Sequence, residues 1–306
     1  MIYPNRLQPG QTVGVIAPAS PPDLNHLQRA IPFLNELGLH VKVAPHVSCT
    51  YGYLAGTDEQ RLNDLHMMFA DRDVDAIICA GGGYGTGRIA DSIDYKLIKK
   101  HPKIFWGYSD LTYLHTAIRQ NSGLVTFHGP MLSSDIGKDD FDDFSKSMFH
   151  QLFQPVTLNY TQDISPLHVI SEGEAEGRLV GGNLSLLVNS IGSDYELNTK
   201  NKLLFIEDIG EEPYRIDSFL SQLQLSGKLE DAAGIVIGDF KDSQPKKRNE
   251  SLSLEQVLHH YLAHLEKPVV SGFKIGHCLP HFAIPLGTKA RLSSFSKTLV
   301  IQPGVS

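Results

Sequence analysis

An α/β fold with a doubly wound parallel sheet in the N-terminal part is the architecture this sequence predicts. Three observations predict it. Short apolar runs recur at residues 12–17, 75–80, 104–106 and 124–127, without the polar alternation of a half-exposed strand. Segments with apolar residues at helical spacing separate them. Glycine- and proline-rich loops follow the runs, as at the sheet edge where such folds hold their ligands.

The elements follow in order. The first strand, residues 12–17, ends in the loop Pro18-Ala19-Ser20-Pro21-Pro22. Asp23 is placed to cap a helix that aligns Leu24, Leu27, Ile31, Leu34 and Leu37 on one side. Pro32 within it predicts a kink or a break. Gly38 ends this helix, and residues 41–43 form the second strand. Asp58 opens a helix carrying Leu62, Leu65 and Phe69. Residues 75–80 are the third strand and Ile104-Phe105-Trp106 the fourth. Residues 124–127 are the fifth.

Between residues 150 and 172 the pattern weakens, with Gln154-Pro155, Ser165-Pro166 and Ser171-Glu172-Gly173 as breakers. The expected division is a domain at 1–152, a linker at 153–172 and a second domain at 173–306. In the second, Gly181-Gly182-Asn183-Leu184 opens a helix and residues 202–206 form a strand. A helix starts at Pro213, a strand covers 234–237, and a further helix lies near 253–262. Short strands and turns follow, with Pro268, Pro280, Pro285 and a terminal hairpin around 293–297.

Composition narrows the function. The chain has 306 residues, 41% apolar and 20% charged, which suits a globular enzyme with a sizeable core. A net charge of -7 points away from nucleic acid and from acidic membrane surfaces. The one basic cluster, Lys246-Lys247-Arg248, reads as a solvated loop. Cys49, Cys79 and Cys278 are far apart and odd in number, so a reducing cytoplasm is expected and no disulfide framework. Residues 1–6 show no basic patch before an apolar stretch, so no signal peptide is expected. No run is long enough to span a bilayer.

The chemistry centres on Gly107-Tyr108-Ser109, where the fourth strand meets a helix whose apolar spacing begins at Asp110-Leu111. Such a turn holds a hydroxyl at the tip of a sheet and aims helix amides at a nearby oxyanion. Ser109 is therefore the candidate nucleophile, and it needs a base. Among 14 histidines, His277 stands in Gly276-His277-Cys278-Leu279-Pro280, a turn able to hold a side chain rigidly after a strand. Glu207 directly follows a buried strand, where a carboxylate needs a partner. Each alone is an ordinary loop residue. In the order Ser…Glu…His, all at strand ends, they make the pattern of a triad.

The loop Gly81-Gly82-Gly83-Tyr84-Gly85-Thr86-Gly87-Arg88 has three readings: a dinucleotide-binding module, an oxyanion wall, or a tight turn alone. Against the first, the loose dinucleotide pattern starts several residues beyond the strand, and no Walker lysine is present. No metal is expected. His277-Cys278 with His281, and His260 with His264, lack a completing ligand set.

Several ordered motifs resemble the LD-carboxypeptidase family of serine peptidases: Phe105-Trp106-Gly107-Tyr108-Ser109-Asp110-Leu111-Thr112, Phe127-His128-Gly129-Pro130-Met131, Gly181-Gly182-Asn183-Leu184-Ser185, Leu204-Phe205-Ile206-Glu207-Asp208 and Gly276-His277. The resemblance runs from about Gly10 to about Val300 and is strongest to the bacillus-type murein peptide carboxypeptidases. It implies Ser109 as nucleophile, Glu207 as orienting carboxylate and His277 as general base. It also implies an oxyanion hole on the amides of Gly83 and Asp110, with Gly82 the alternative to Gly83. Asn183 falls at a substrate-binding position.

The fold so implied is a class I glutamine amidotransferase-like α/β domain followed by a domain with a small barrel-like β core and helices. The implied protein is a cytoplasmic homodimer without cofactor or metal. Its implied reaction is hydrolysis of the amide between the L-centre of a diamino acid and a terminal D-alanine in a murein tetrapeptide. The alternative within the family is a self-immunity hydrolase acting on processed microcin C. The Gly-x-Ser-x-Gly elbow of ordinary α/β-hydrolases is incomplete, because Leu111 holds its last position. A free terminal carboxylate needs a cation, for which Arg88, Arg178, Arg215 and Lys289 are all open.

Overall fold

The computed structural model describes residues 1–246 and 250–306. Of the basic cluster, Lys247 and Arg248 lie outside the described residues. Lys246 is exposed, and its amide donates to the Glu212 carboxylate at 2.9 Å. Among the described residues, no helix is long and apolar enough to cross a membrane.

The chain forms two compact units. The first comprises residues 1–156, 282–287 and 303–306, and the second 157–281 and 288–302. The division is thus not a single cut, because two late segments return to the first unit. Residues 153–172, expected to be a linker, hold two strands of the second.

The first unit carries strands β1 (Thr12–Ile16), β2 (His40–Val43), β3 (Ala76–Cys79), β4 (Ile104–Gly107) and β5 (Thr126–His128), and helices α1 (Leu24–Glu36), α2 (Asp58–Ala70), α3 (Tyr95–Lys100), α4 (Thr112–Ser122) and α5 (Asp143–Ser147). Its sixth strand, Ile284–Leu286, is β12 in chain order. The sheet order is β12-β5-β4-β3-β1-β2. β1 to β5 run parallel, as expected, and β12 adds an antiparallel edge against β5. That edge is invisible to local pattern, because its partner lies more than 150 residues away in sequence.

β3 and β4 are buried along their full length, which explains their unbroken apolar runs. Asp23 caps α1 by accepting from the amides of Asn25 and His26. The helix continues through Pro32 to Glu36 instead of breaking. Burial of Leu27, Ala30 and Leu34 offsets the single hydrogen bond that proline deletes. α2 begins with a full capping box between Thr57 and Gln60.

The second unit carries β6 (Leu158–Tyr160), β7 (His168–Ser171), β8 (Glu174–Asn183), β9 (Lys202–Ile209), β10 (Gly234–Lys241), β11 (Val269–Ser271), β13 (Lys289–Ser293) and β14 (Thr298–Ile301). Its helices are α6 (Leu184–Asn189), α7 (Pro213–Leu225), α8 (Lys228–Asp231) and α9 (Leu254–Leu262). The sheet order is β6-β14-β13-β8-β9-β10-β11-β7. β8, β9, β10 and β11 are parallel, and the remaining pairings are antiparallel. Leu184, Ile216, Leu220 and Leu262 from the helices bury against Leu204, Ile206 and Ile235 of the sheet.

The expected barrel-like core is corrected to an open mixed sheet: its edge strands β6 and β7 share no backbone ladder. Side-chain contacts tie the β6 end of the sheet to the segment after β11. The Tyr160 hydroxyl accepts from the Lys274 amide at 2.7 Å, its ring meets Phe273 edge-on at 4.9 Å, and Ser165 Oγ donates to the Gly272 carbonyl at 2.6 Å. The sheet does not close.

Candidate active site

Two groups of functional side chains form, one in each unit. In the first, β4 delivers its end to Ser109 through the extended residue Tyr108. Ser109 sits at φ +64° and starts a 3-10 turn that feeds α4. Among the described residues of this unit it is the only residue other than glycine with positive φ. A left-handed serine costs roughly 1–3 kcal/mol and persists only where its surroundings enforce it.

Several contacts enforce it. The buried His115 of α4 donates from Nε2 to the Gly107 carbonyl at 2.7 Å. Burial pushes His115 down to about 3, so it stays neutral. Thr112 Oγ1 donates to the Ser109 carbonyl at 2.8 Å. The Tyr108 hydroxyl donates to Asp135, whose other oxygen accepts from the Met131 amide at 2.8 Å. Trp106 Nε1 donates to the Pro130 carbonyl at 2.7 Å, and a Cβ at Gly129 would lie 2.3 Å from the Trp106 ring. The segment after β5 thus backs the serine turn.

The glycine loop after β3 meets the same turn. A Cβ on Gly82 would lie 3.0 Å from Ser109 Cβ and 3.2 Å from its Oγ. The Gly82 carbonyl accepts from the Ser20 amide at 3.2 Å, and Ser20 Oγ accepts from the Tyr84 amide at 3.1 Å. In a trans peptide the N–H points opposite the C=O, so the Gly83 amide faces away from Ser20. The amides of Gly82, Gly83 and Asp110 have no acceptor among the described residues.

Further along the loop, the Thr86 amide donates to Asp110 Oδ2 at 2.8 Å, and Thr86 Oγ1 donates to the Asp110 carbonyl. Burial raises the Asp110 carboxyl above its ordinary range, with Thr86 opposing. These contacts dispose of the dinucleotide reading: Thr86–Arg88 is a three-residue 3-10 turn, not the start of an α-helix, and a protein carboxylate already takes the Thr86 amide.

In the second unit, Glu207 lies fully buried near the end of β9. His277 Nδ1 stands 2.7 Å from Glu207 Oε2. With Nδ1–H donated to the carboxylate, Nε2 is left as the basic nitrogen. Gly276 at φ +125° makes this contact feasible, because a Cβ there would lie 2.7 Å from that same oxygen. The neighbouring Cys278 is a thiol and not a nucleophile, its pKa pushed up to about 12 by burial and then by Asp239.

Asn183 pairs in register with Glu207 across β8 and β9. Its Nδ2 donates to Asp208 Oδ1 at 3.0 Å, while Asp208 Oδ2 accepts from the Ser185 amide at 2.8 Å. Burial, then the adjacent Glu207 charge, raises Asp208 to about 6. Asp208 therefore orients Asn183, a role that Glu207-Asp208 in the sequence did not reveal. Ser20 and Thr86 were missed as well. The position of Ser20 in the loop after β1, at the ligand-binding sheet edge, was the available signal.

The candidate cations separate. Arg88 is held by Asp58 at 2.6 Å, and Arg215 stacks over Phe219 at 4.8 Å. Arg178 pairs in register with Lys289. Both stand level with the middle of β8, about 16 Å along the strand from Asn183 at its usual rise. The structure does not bring Arg178 or Lys289 to the Glu207–His277 pair.

The LD-carboxypeptidase N-terminal domain matches residues 13–129, and the LD-carboxypeptidase C-terminal domain matches residues 176–292. A probable murein peptide carboxypeptidase of Bacillus subtilis is 58% identical over 303 residues, covering 99% of this chain and 95% of that protein. A murein tetrapeptide carboxypeptidase of Pseudomonas aeruginosa is 31% identical over 288 residues, covering 92% of each. Among solved structures, a muramoyltetrapeptide carboxypeptidase from Oxalobacter formigenes superposes with a TM-score of 0.86 at 29% identity, covering 97% of this chain and 100% of that one. The microcin C7 self-immunity protein MccF superposes with a TM-score of 0.89 at 24% identity over the full length of both, a likeness of fold alone.

Proposed function

This chain belongs to the LD-carboxypeptidase family of serine peptidases, and from that premise we propose that it removes the terminal D-alanine from murein tetrapeptides. The observation that carries the chemistry is Ser109 held at φ +64° between a buried strand and a helix.

In this reading Ser109 Oγ attacks the carbonyl carbon of the diamino-acid L-centre. Its proton passes to His277 Nε2, and Glu207 stabilises the imidazolium through Nδ1. The tetrahedral oxyanion accepts from the amides of Gly83 and Asp110, each lacking another acceptor among the described residues. His277 then gives its proton to the D-alanine nitrogen as the C–N bond breaks. Water, deprotonated by His277, cleaves the ester and restores Ser109. Asn183, fixed by Asp208, is the proposed substrate contact in the second unit.

The same reading assigns the parallel order β5-β4-β3-β1-β2 to a class I glutamine amidotransferase-like arrangement, with the nucleophile after β4. It also takes the protein to be a cytoplasmic homodimer, on the strength of the family resemblance.

The test follows free D-alanine by mass spectrometry from L-Ala-γ-D-Glu-meso-diaminopimelate-D-Ala, with parent and Ser109→Ala enzymes. Release by the parent and loss of about 10³-fold or more in the variant is expected. Equal release by both would overturn Ser109 as nucleophile. No release by the parent would overturn the substrate.

A further inference from the structure

Beside the nucleophile lies a feature that the mechanism leaves unused. Tyr53 and Tyr84 are 65% and 53% exposed, and their rings meet edge-on with centroids 5.4 Å apart. A solvated ring contributes little to folding, which leaves the pair's faces open to a ligand.

The base here is rigid. Tyr53 lies on the tight turn closed by reciprocal backbone bonds between Tyr51 and Leu54. Leu54 is buried, and its Cδ2 would lie 2.5 Å from a Cβ on Gly85. The buried guanidinium of Arg61 donates to the carbonyls of Pro18 and Gly85, binding the loops after β1 and β3 together. Tyr84 is fixed through its amide to Ser20 Oγ.

Tyr84 is two residues from Gly82, the glycine against Ser109, so the two Cα atoms are at most about 7.6 Å apart. A murein tetrapeptide extends from its scissile carbonyl through three residues, about 10–11 Å, to its N-terminal end. There a muramoyl substrate carries its sugar. A tyrosine ring adds several ångströms beyond its Cα, so the pair lies within reach of that end.

We propose that Tyr53 and Tyr84 form a carbohydrate platform, stacking on the apolar face of the muramoyl sugar and selecting glycan-bearing over free tetrapeptide. Tyrosine suits this task, with an apolar face for the ring C–H groups and a hydroxyl for the sugar hydroxyls. The proposal rests on the tetrapeptidase reading above.

The experiment measures kcat/KM for D-alanine release from muramoyl tetrapeptide and from free tetrapeptide. It compares the parent, Tyr53→Ala/Tyr84→Ala and Tyr53→Phe/Tyr84→Phe. In the parent the glycan-bearing substrate is expected to be favoured about tenfold. The double alanine variant should bring that ratio close to one, and the double phenylalanine variant should keep most of it. A ratio unchanged in the alanine variant, or no preference in the parent, overturns the platform and leaves the tetrapeptidase reading standing. No release from either substrate by the parent overturns both.

Discussion

Gly276→Ala tests whether the base is positioned by its carboxylate. The new Cβ would lie 2.7 Å from Glu207 Oε2, 3.0 Å from Glu207 Cβ and 3.1 Å from Cγ. Backbone at φ +125° adds strain of roughly 1–3 kcal/mol for an L-residue. Restoring an ordinary carbon–oxygen contact moves the carboxylate or the His277 loop by about 0.5–0.7 Å. The Nδ1–Oε2 bond, now 2.7 Å, then stretches past the normal hydrogen-bond range. A misplacement of about 1 Å can cost about 10²-fold in rate, and a misplaced proton on the imidazole adds to the loss from a shift of this kind. Expected, therefore, is a fall of at least about 10²-fold in kcat for D-alanine release. Folding should weaken by a few kcal/mol, read by denaturant unfolding. Gly192→Ala is the control, with φ +88° and nothing within 4 Å of the added Cβ. It should lose about 1 kcal/mol and keep its turnover. A folded Gly276→Ala enzyme within about threefold of the parent would refute the claim that the Glu207 contact positions His277.

Other predictions concern the surroundings. Gly82→Ala, its Cβ 3.0 Å from that of Ser109, should lower kcat about tenfold or more while the protein stays folded; unchanged kcat would separate this glycine from the nucleophile. His115 is held neutral with its pKa near 3, below the unfolded value of 6.5, so the unfolded chain binds the extra proton and stability falls as pH drops below 6.5. By pH 5 this group should contribute a loss of about 2 kcal/mol, and denaturant curves of His115→Gln should show a shallower decline. Asp208 is shifted the other way, from 3.8 to about 6, so the folded state holds its proton more tightly. Its contribution to stability is full below about pH 4 and is lost as pH rises through 6. A carboxyl carbon titration by nuclear magnetic resonance, assigned with Asp208→Asn, should find a midpoint near 6. A midpoint below about 4.5 would show that burial does not dominate there.

Local pattern resolved the first unit well, because β3 and β4 are buried on both faces and read as unbroken apolar runs. Of the kink or break it expects at Pro32, the break does not occur, because packing of Leu27 and Leu34 outweighs one lost hydrogen bond. It also read residues 153–172 as a connection, since β6 and β7 are short, half-exposed edge strands with little periodicity. The barrel-like β core expected from the family resemblance is an open sheet for a different reason: whether two edges pair depends on sheet curvature, which no local spacing encodes.

By itself the sequence determined the class of fold, the serine turn after the fourth strand, and the residue types of a candidate triad at strand ends. These are local matters of burial, period and turn chemistry. Only the tertiary structure decided that β12 completes the first sheet, that Gly82 rather than Gly83 touches the Ser109 side chain, and that Asp208 holds Asn183. It also put Arg178 and Lys289 level with the middle of β8, five residues from Asn183. The physical reason is common to all of these. Each depends on distances between residues far apart in the chain, set by strand register and close backbone approach. A sequence specifies those distances only through the sum of its packing.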